Sequence, residues 1–326
     1  MRPKFPLIML TAFILASVHL AYAQQRKKVP RIGYLATRSS AGGGEKAFLQ
    51  GLQSLGYIEG QTIAIEWRFA QEKFDRLPEL ASELVRLKVD VIVTSGGYST
   101  VQAVKNATTT IPIVMTGVSD AVELGFVASL ARPGGNITGI SSLAPELSGK
   151  LLELAKEAIP KASLVAVLAY SASPNWKLYF KHMDGTARSL GVQLLVFQVR
   201  APDELESAFD TARSKRADAV IIPGSGFLNL HRKRIVELAA QRQLPAIAMG
   251  GTWAEQGCLL AYGPSTAESY RRVAVYVDKI LKGANPAELP VEQPMKFEFI
   301  INLKTAKALN LTIPPNVLAR ADRVIR

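Results

Sequence analysis

The chain has 326 residues, of which 48% are hydrophobic, and 39 Lys and Arg against 27 Asp and Glu give it a formal net charge of +12 at pH 7. This length is enough for the cores of two domains, and a single cysteine, Cys258, excludes an internal disulfide and any multi-cysteine metal site. The positive charges are scattered along predicted helices without a recognition-helix motif, so we interpret them as a solvated surface and expect no nucleic-acid partner.

The first predicted element is a secretory signal over residues 1–23. A charged start with Arg2 and Lys4 precedes an apolar stretch at 7–18, and an A-x-A cleavage site ends at Ala23. A membrane helix is the alternative, but about a dozen apolar residues are too few to cross ~30 Å of hydrocarbon. No cysteine follows the cleavage site to carry a lipid anchor. We therefore expect a periplasmic protein that is not inserted in the membrane after signal cleavage.

Short apolar runs then alternate with amphipathic stretches, which is the pattern of βα units around parallel sheets. In the first half, strands are predicted at 31–36, 62–69, 90–95, 112–116 and 137–140, with helices at 43–56, 74–88, 98–107 and 121–131. In the second half, strands are predicted at 164–170, 192–199, 218–223, 245–249 and 258–262, with helices at 174–190, 202–214 and 229–242. Nearly continuous apolar strands indicate doubly wound sheets that are covered on both faces.

The two halves resemble each other. The segment VDVIVTSGG at 89–97 is echoed by ADAVIIPGSG at 217–226, and each copy lies between a predicted helix and a second buried strand. The spacing of about 130 residues is too long for a solenoid repeat and fits two α/β domains. Two similar lobes imply a cleft between them.

Three segments are predicted to cross between the lobes. The first two are 140–149 and 260–265, of which the second leads into a helix that is capped by Ser265 or Thr266 and ends near Lys282. The third is the Pro-rich stretch 283–294, which leads into a strand at 296–302. The resulting division is a first lobe of 24–143 plus 263–289, and a second lobe of 144–262 plus 290–326.

Candidate ligand residues follow from the rule that open α/β sheets bind ligands beyond the carboxyl ends of their strands. In the first lobe this rule selects Thr37, Ser95, Gly96, Gly97, Thr116, Gly117 and Asp120. The two glycines at 96–97 permit close backbone approach, and the following helix leaves its first amides available to a carboxylate; an ordinary tight βα turn is the alternative. Asp120 either pairs with a ligand ammonium or caps a helix that begins at Ala121.

In the second lobe, side chains at the strand ends are candidates for the apolar walls and hydrogen bonds of the same cleft. They are Tyr170, Asn175, Ser225, Phe227 and Trp253. Aromatic side chains at loop ends suit a cleft, and core packing is the alternative for each of them.

Enzyme motifs are missing from the sequence. After signal cleavage only His182 and His231 remain, both within predicted surface helices. There is no His-Glu-x-x-His zinc motif, and Gly224-Ser225-Gly226 is not a nucleophile elbow. We expect no catalytic residues, no metal and no cofactor. An exported hydrolase is the enzymatic alternative, and it would need a catalytic constellation that the sequence does not show.

Several segments resemble the ABC transporter substrate-binding protein family whose members include tryptophan and tyrosine binders. They are RPGGNITG (132–139), LAYGPS (260–265), VDKILKGANPAELPVEQP (277–294) and KFEFIINLKTAKALNLTIPP (296–315). The resemblance covers essentially the whole mature chain. It implies a type I periplasmic-binding-protein fold, in which two Rossmann-like doubly wound parallel-sheet lobes are joined by a three-segment hinge.

The resemblance also implies a function. Such a protein closes its two lobes on a small solute, here an amino acid or a similar small carboxylate, and delivers it to an ABC permease in the inner membrane. The family's first-lobe loops correspond here to Ser95, Gly96, Gly97, Thr116 and Asp120, although Asp120 is followed by Ala121 where members often have proline. The alternative is a periplasmic sensor that presents the bound solute to a membrane kinase or chemoreceptor.

Overall fold

The computed structural model describes residues 29–173 and 176–326, so the predicted signal and Asn175 lie outside the described residues. The strands are β1 Arg31–Ala36, β2 Ala64–Phe69, β3 Val91–Ser95, β4 Ile113–Ser119, β5 Ile137–Ser142, β6 Leu164–Tyr170, β7 Gln193–Val199, β8 Ala219–Ile222, β9 Ala246–Met249, β10 Leu260–Pro264, β11 Phe297–Asn302 and β12 Arg323–Ile325. The α-helices are α1 Gly43–Ser54, α2 Leu77–Arg86, α3 Tyr98–Ala107, α4 Ala144–Ala158, α5 Trp176–Leu190, α6 Glu204–Ser214, α7 Gly226–Leu230, α8 Arg232–Gln241, α9 Thr252–Glu255, α10 Thr266–Leu281, α11 Leu303–Ala308 and α12 Pro315–Leu318.

The first lobe is built on a parallel sheet of order β2-β1-β3-β4-β5. Its central strand β3 is buried at every position, because helices cover both faces of the sheet. Helices α1 and α10 cover one face of the sheet, where Phe48 of α1 and Tyr276 of α10 lie in one core cluster with Tyr34 of β1. Helices α2 and α3 form the other layer. One of the two helices in the first layer, α10, therefore comes from a part of the chain far from the rest of this lobe.

The second lobe is built on a sheet of order β12-β11-β10-β9-β8-β6-β7. Helices α4 and α5 cover one face, and α6 and α8 cover the other. All strand pairs in this sheet are parallel except β10 with β11, which is antiparallel. The chain leaves β10 for the first lobe and returns to β11 from the opposite direction. The sheet of this lobe, which was predicted to be parallel, therefore contains one antiparallel strand pair.

The chain passes between the two sheets three times, once after β5, once after β10 and once before β11. At the third passage the backbone of Glu292 accepts from the N–H of Ser141 at 2.8 Å and donates to the carbonyl of Gly139 at 3.0 Å. Residues up to 292 therefore lie along the first sheet, beyond the predicted boundary at 289. Conversely, β10 extends to Pro264, so the segment 263–264 belongs to the second sheet and not to the first lobe.

Two predicted helices differ from the structure. Residues 121–131 form turns instead of a helix, because Asp120 and Gly125 adopt φ values of 50° and 66° that interrupt helical geometry. The stretch nevertheless buries Phe126 and Val127 in the first-lobe core, which explains its apolar periodicity. The helix predicted at 229–242 is divided into α7 and α8 at His231. The short elements α9, α11, α12 and β12 were not predicted.

None of the described helices combines the length and apolar character needed to cross a membrane.

Candidate functional site

A cleft lies where the carboxyl ends of β3 and β4 face those of β6 and β8. It contains about 520 Å³ of empty space, part of which is open to solvent. Its described lining is Phe74, Gly96, Gly97, Tyr98, Ser99, Gly117, Ser119, Tyr170, Ala172, Ser173, Tyr179, Gly224, Ser225, Gly226 and Phe227. These residues are aromatic, hydroxyl-bearing or small, and none of them carries a charge. The cleft therefore offers hydrogen bonds and aromatic faces to a ligand.

The two lobes contact each other around this cleft. The hydroxyl of Ser119, at the end of β4, lies 3.1 Å from the phenol oxygen of Tyr179 on α5. Tyr179 in turn donates to the carbonyl oxygen of Gly224 at 2.9 Å. Burial raises the pKa of Tyr179 to about 12, so this phenol stays protonated and acts as a donor. Phe74 packs against the cores of both lobes, and the lobes are thus held together from two sides.

The backbone at Gly96 and Gly97 is shaped for close approach. Their φ values are 130° and 79°, a region that other residues rarely adopt. Gly97 is the N-cap of α3, and no side chain caps this helix end. The hydroxyl of Thr100 turns back to the carbonyl of Gly97 at 2.9 Å. The first amides of α3 therefore have no intrahelical partner, and the helix dipole favours negative charge at this end.

The side chain of Ser95 is not part of the described lining of the cleft. It is 1% exposed, and its hydroxyl lies 2.5 Å from the phenol oxygen of Tyr270 on α10. Burial raises the pKa of Tyr270, as does the nearby carboxylate of Glu45. Glu45 is itself fully buried and accepts from Tyr34 at 3.0 Å and from Arg38 at 3.1 Å. Ser95 thus belongs to an internal polar network on the α10 side of the sheet.

Three other first-lobe candidates lie beside the cleft without lining it. Thr37 and Thr116 are 4% and 5% exposed. The carboxylate of Asp120 accepts a hydrogen bond from the backbone N–H of Glu123 at 3.0 Å. This contact resembles the predicted capping alternative, except that the segment after Asp120 is a turn and not a helix. A hydrogen bond with Asp120 raises the pKa of Glu123. The first-lobe contribution to the lining therefore comes largely from Gly96, Gly97 and Gly117 with their neighbours.

In the second lobe, Tyr170 and Phe227 form one wall of the cleft. Their rings are stacked with centroids 4.3 Å apart and planes 7° from parallel. Ser225 also lines the cleft, and its hydroxyl accepts from the N–H of Leu228 at 3.0 Å as the N-cap of α7. Trp253 does not line the cleft: it is 1% exposed, and its indole N–H donates to Asn229 at 3.0 Å. Trp253 therefore packs in the core of the second lobe, which was the alternative to a place in the cleft.

A second, more apolar pocket of about 370 Å³ opens beside the cleft within the second lobe. Its described lining is Val167, Leu168, Ala169, Tyr170, Ser173, Trp176, Tyr179, Phe180, Val196, Pro223, Gly224, Ser225 and Leu228. Five of these residues also line the cleft: Tyr170, Ser173, Tyr179, Gly224 and Ser225. The two spaces are therefore adjacent, and the first is more polar while the second is lined largely by aromatic and aliphatic side chains.

Phe74 and Tyr179 lie outside the loops that the strand-end rule selects. Ser119 lies within the selected loop at 116–120 but was not singled out as a ligand candidate, because β4 was predicted to stop at 116. Tyr179 lies inside a predicted helix, where a buried tyrosine gives no distinguishing signal. Phe74 follows β2, whose carboxyl end had not been included among the candidate loops. Among the described residues, no group of three His, Cys, Asp or Glu side chains is placed to hold a metal ion.

Several known proteins are similar to this chain in sequence and in fold. The profile of the family described as ABC transporter substrate binding protein matches residues 40–325. A tyrosine-binding protein of Clostridioides difficile is 29% identical over 288 residues, which cover 88% of this chain and 82% of that protein. The crystal structure of an ABC domain in complex with L-Trp from Streptococcus pneumoniae has a TM-score of 0.84 at 25% identity, covering 91% of this chain and all of the other.

A third comparison concerns lobe arrangement. The ligand-free, open structure of a substrate-binding protein with adhesive properties from Clostridium difficile is also 25% identical and covers 91% of this chain and 99% of its own. Its TM-score is only 0.68, against 0.84 for the L-Trp complex. Identity and coverage of this chain are equal in the two comparisons, so the difference indicates that the lobes here are arranged more as in the ligand complex.

The two sheets, their crossing segments and the cleft define a periplasmic-binding-protein fold of type I. Within that class, this chain belongs to the ABC transporter substrate-binding protein family, whose profile matches nearly its whole length. It is a binding protein and not an enzyme.

Proposed function

We propose that this chain is the periplasmic solute-binding component of an ABC importer. In this proposal it binds an amino acid between its lobes and delivers it unchanged to a permease in the inner membrane. Residues 1–23 act as the export signal. The family membership supports a role in solute capture, and the named relatives, a tyrosine-binding protein and an L-Trp complex, support an amino acid as the ligand.

The uncapped N-terminus of α3 at the cleft is the observation that carries the proposal. We assign the ligand carboxylate to the amides that follow Gly97, since these amides and the helix dipole favour an anion. The ligand amine then has no carboxylate partner in the described lining. We assign it to backbone carbonyls and to the aromatic faces of Tyr170 and Phe227, which attract a cation through their ring quadrupoles.

The apolar pocket beside the cleft takes the ligand side chain in this proposal. Its walls include Trp176, Phe180 and Val196, and aromatic and aliphatic walls of this kind suit the side chain of an apolar amino acid. Of the residues predicted from the sequence, we retain Gly96, Gly97, Gly117, Tyr170, Ser225 and Phe227 as ligand contacts. Binding favours the closed state because only that state contacts the ligand from both lobes.

The test is isothermal titration calorimetry of the mature chain with matched ligands. We expect binding of L-tryptophan or L-tyrosine. Tryptamine, which lacks the carboxylate, should bind at least about 100-fold more weakly, because charge-assisted hydrogen bonds contribute ~1.5–3 kcal/mol each and more than one is lost. Equal affinity for tryptamine would contradict the carboxylate assignment. Failure of every amino acid, with binding of a neutral sugar, would overturn the ligand class.

A further inference from the structure

Gly226 lies at a backbone-to-backbone contact between the lobes. It is the first residue of α7 in the second lobe, and it faces Gly96 in the loop after β3 of the first lobe. A Cβ atom built on Gly226 would lie 2.6 Å from the carbonyl oxygen of Gly96. That separation is shorter than real Cβ contacts, and the opposing atom is backbone, so it cannot swing away as the end of a side chain would.

Neither partner in this contact is free to yield. Gly96 has a φ of 130°, and a Cβ built on it would meet Thr37 at 2.7 Å and Thr100 at 3.1 Å, so the buried side chains of these two threonines leave no space beside the loop on that side. On the other side, Ser225 caps α7, and the stacking of Phe227 on Tyr170 at 4.3 Å fixes the same turn. Interfaces packed in this way are bistable and do not deform continuously.

Nothing within the second lobe requires residue 226 to be glycine. Its φ lies outside the left-handed region, and within the described part of the chain its Cβ would meet only atoms of Gly96, a residue of the other lobe, within 4 Å. Alanine is the better helix former at such a position. The constraint on residue 226 therefore acts only when the two lobes meet.

We propose that Gly226 acts as a steric gauge for closure: the lobes close until the Gly96 carbonyl meets a residue without a side chain, and any larger residue at 226 holds them apart. The gauge borders the cleft, because both glycines line it. It would thus set the clearance in which the ligand is enclosed. This inference rests on the proposed function, since it assumes that closure accompanies solute binding.

The experiment measures closure directly. Dyes are attached at Glu79→Cys and Ser214→Cys, two exposed positions on different lobes, and single-molecule energy transfer is recorded with and without saturating L-tryptophan and L-tyrosine. Cys258 is buried and unreactive, because burial raises the pKa of its thiol to about 12. Gly226→Ala and Gly226→Val are compared with the wild type and with Gly185→Ala, a control on α5 whose added Cβ meets nothing within 4 Å.

We expect the closed population to fall in Gly226→Ala and to fall further in Gly226→Val. The affinity for L-tryptophan should decrease about tenfold or more, because closure is penalised. The melting temperature of the unliganded protein should stay unchanged. Gly185→Ala should match the wild type. A closed population in Gly226→Ala equal to that of the wild type overturns the gauge and leaves the proposed function intact. A wild type that binds neither amino acid overturns the proposed ligand, and its closed population without ligand still tests the gauge. A wild type that never closes overturns the gauge as well.

Discussion

The hydroxyl of Ser95 and the phenol of Tyr270 meet at 2.5 Å inside the first lobe. Ser95 ends β3 just before the glycines of the cleft, and Tyr270 lies on α10, which the chain enters directly after its second passage between the sheets. The pair therefore connects the loop at the cleft to the segment that follows the second passage between the sheets. Burial raises the pKa of Tyr270, so the phenol remains protonated across the physiological range.

Removing either partner should lower stability more than affinity. Tyr270→Phe leaves the buried Ser95 hydroxyl without this partner, which costs about 1–3 kcal/mol. Ser95→Ala should cost a similar amount, while L-tryptophan affinity stays within about twofold because the hydroxyl points away from the cleft. Urea unfolding of both single variants and of the double variant measures the coupling between them. Strictly additive losses would show that the two hydroxyls do not interact.

A negative charge at the start of α3 should block binding. Ser99 lines the cleft at the second residue of the helix, so Ser99→Asp adds a carboxylate where we place that of the ligand. The change suits the helix dipole and should leave stability equal or slightly higher. Amino-acid affinity should fall by about tenfold or more, since one repelled charge costs at least ~1.4 kcal/mol here. Ser99→Asn is the uncharged control, and an equal loss in both variants would refute the electrostatic explanation.

Thr94 should become more stable when its hydroxyl is removed. Its Oγ1 is buried and has no hydrogen-bond partner among the described residues, and such an orphaned group costs about 1–3 kcal/mol. Thr94→Val keeps the shape, so we expect a gain of about 1 kcal/mol in the free energy of unfolding. Thr138→Val is the matched comparison, because the buried Thr138 hydroxyl donates to the carbonyl of Leu289 at 2.7 Å; it should lose stability. A loss in Thr94→Val would mean that its hydroxyl has a partner.

The ion pair at the third passage should contribute stability that depends on pH. Arg272 donates to both carboxylate oxygens of Glu292, at 2.6 and 2.5 Å, and these hydrogen bonds lower the pKa of Glu292 from its usual 4.5. A lowered folded-state pKa means that the contribution is complete above about pH 4.5 and is lost as the pH falls through the folded-state value. Glu292 is partly exposed, so the loss in Glu292→Gln at pH 7 should be below about 1 kcal/mol.

Urea midpoints of the wild type and Glu292→Gln between pH 7 and pH 3 check this sign. The difference between the two proteins should shrink with acidification. Glu288→Gln removes an exposed carboxylate from the same segment and should change little at any pH. A difference that grows towards pH 3 would be incompatible with a lowered pKa for Glu292.

Backbone features were more predictable than side-chain roles. Strands β1 and β6 coincide with their predicted limits because buried parallel strands read as unbroken apolar runs. The glycines at 96 and 97 were found at the cleft because their position after a strand depends on topology alone. Ser95 and Trp253 were predicted at the cleft because each lies near the end of a strand. The direction of each side chain instead follows from a partner that is distant in sequence, Tyr270 for Ser95 and Asn229 for Trp253. The turn after Asp120 was read as a helix because its buried residues keep helical spacing.

The threading of the chain through both lobes governs the order in which the molecule can be assembled. The first sheet lacks one of its covering helices until residues 266–281 are available, and the second sheet lacks its reversed edge until the last thirty or so residues arrive. Both cores therefore depend on segments from the last fifth of the chain. During synthesis neither lobe has all of its covering elements until the polypeptide is nearly complete.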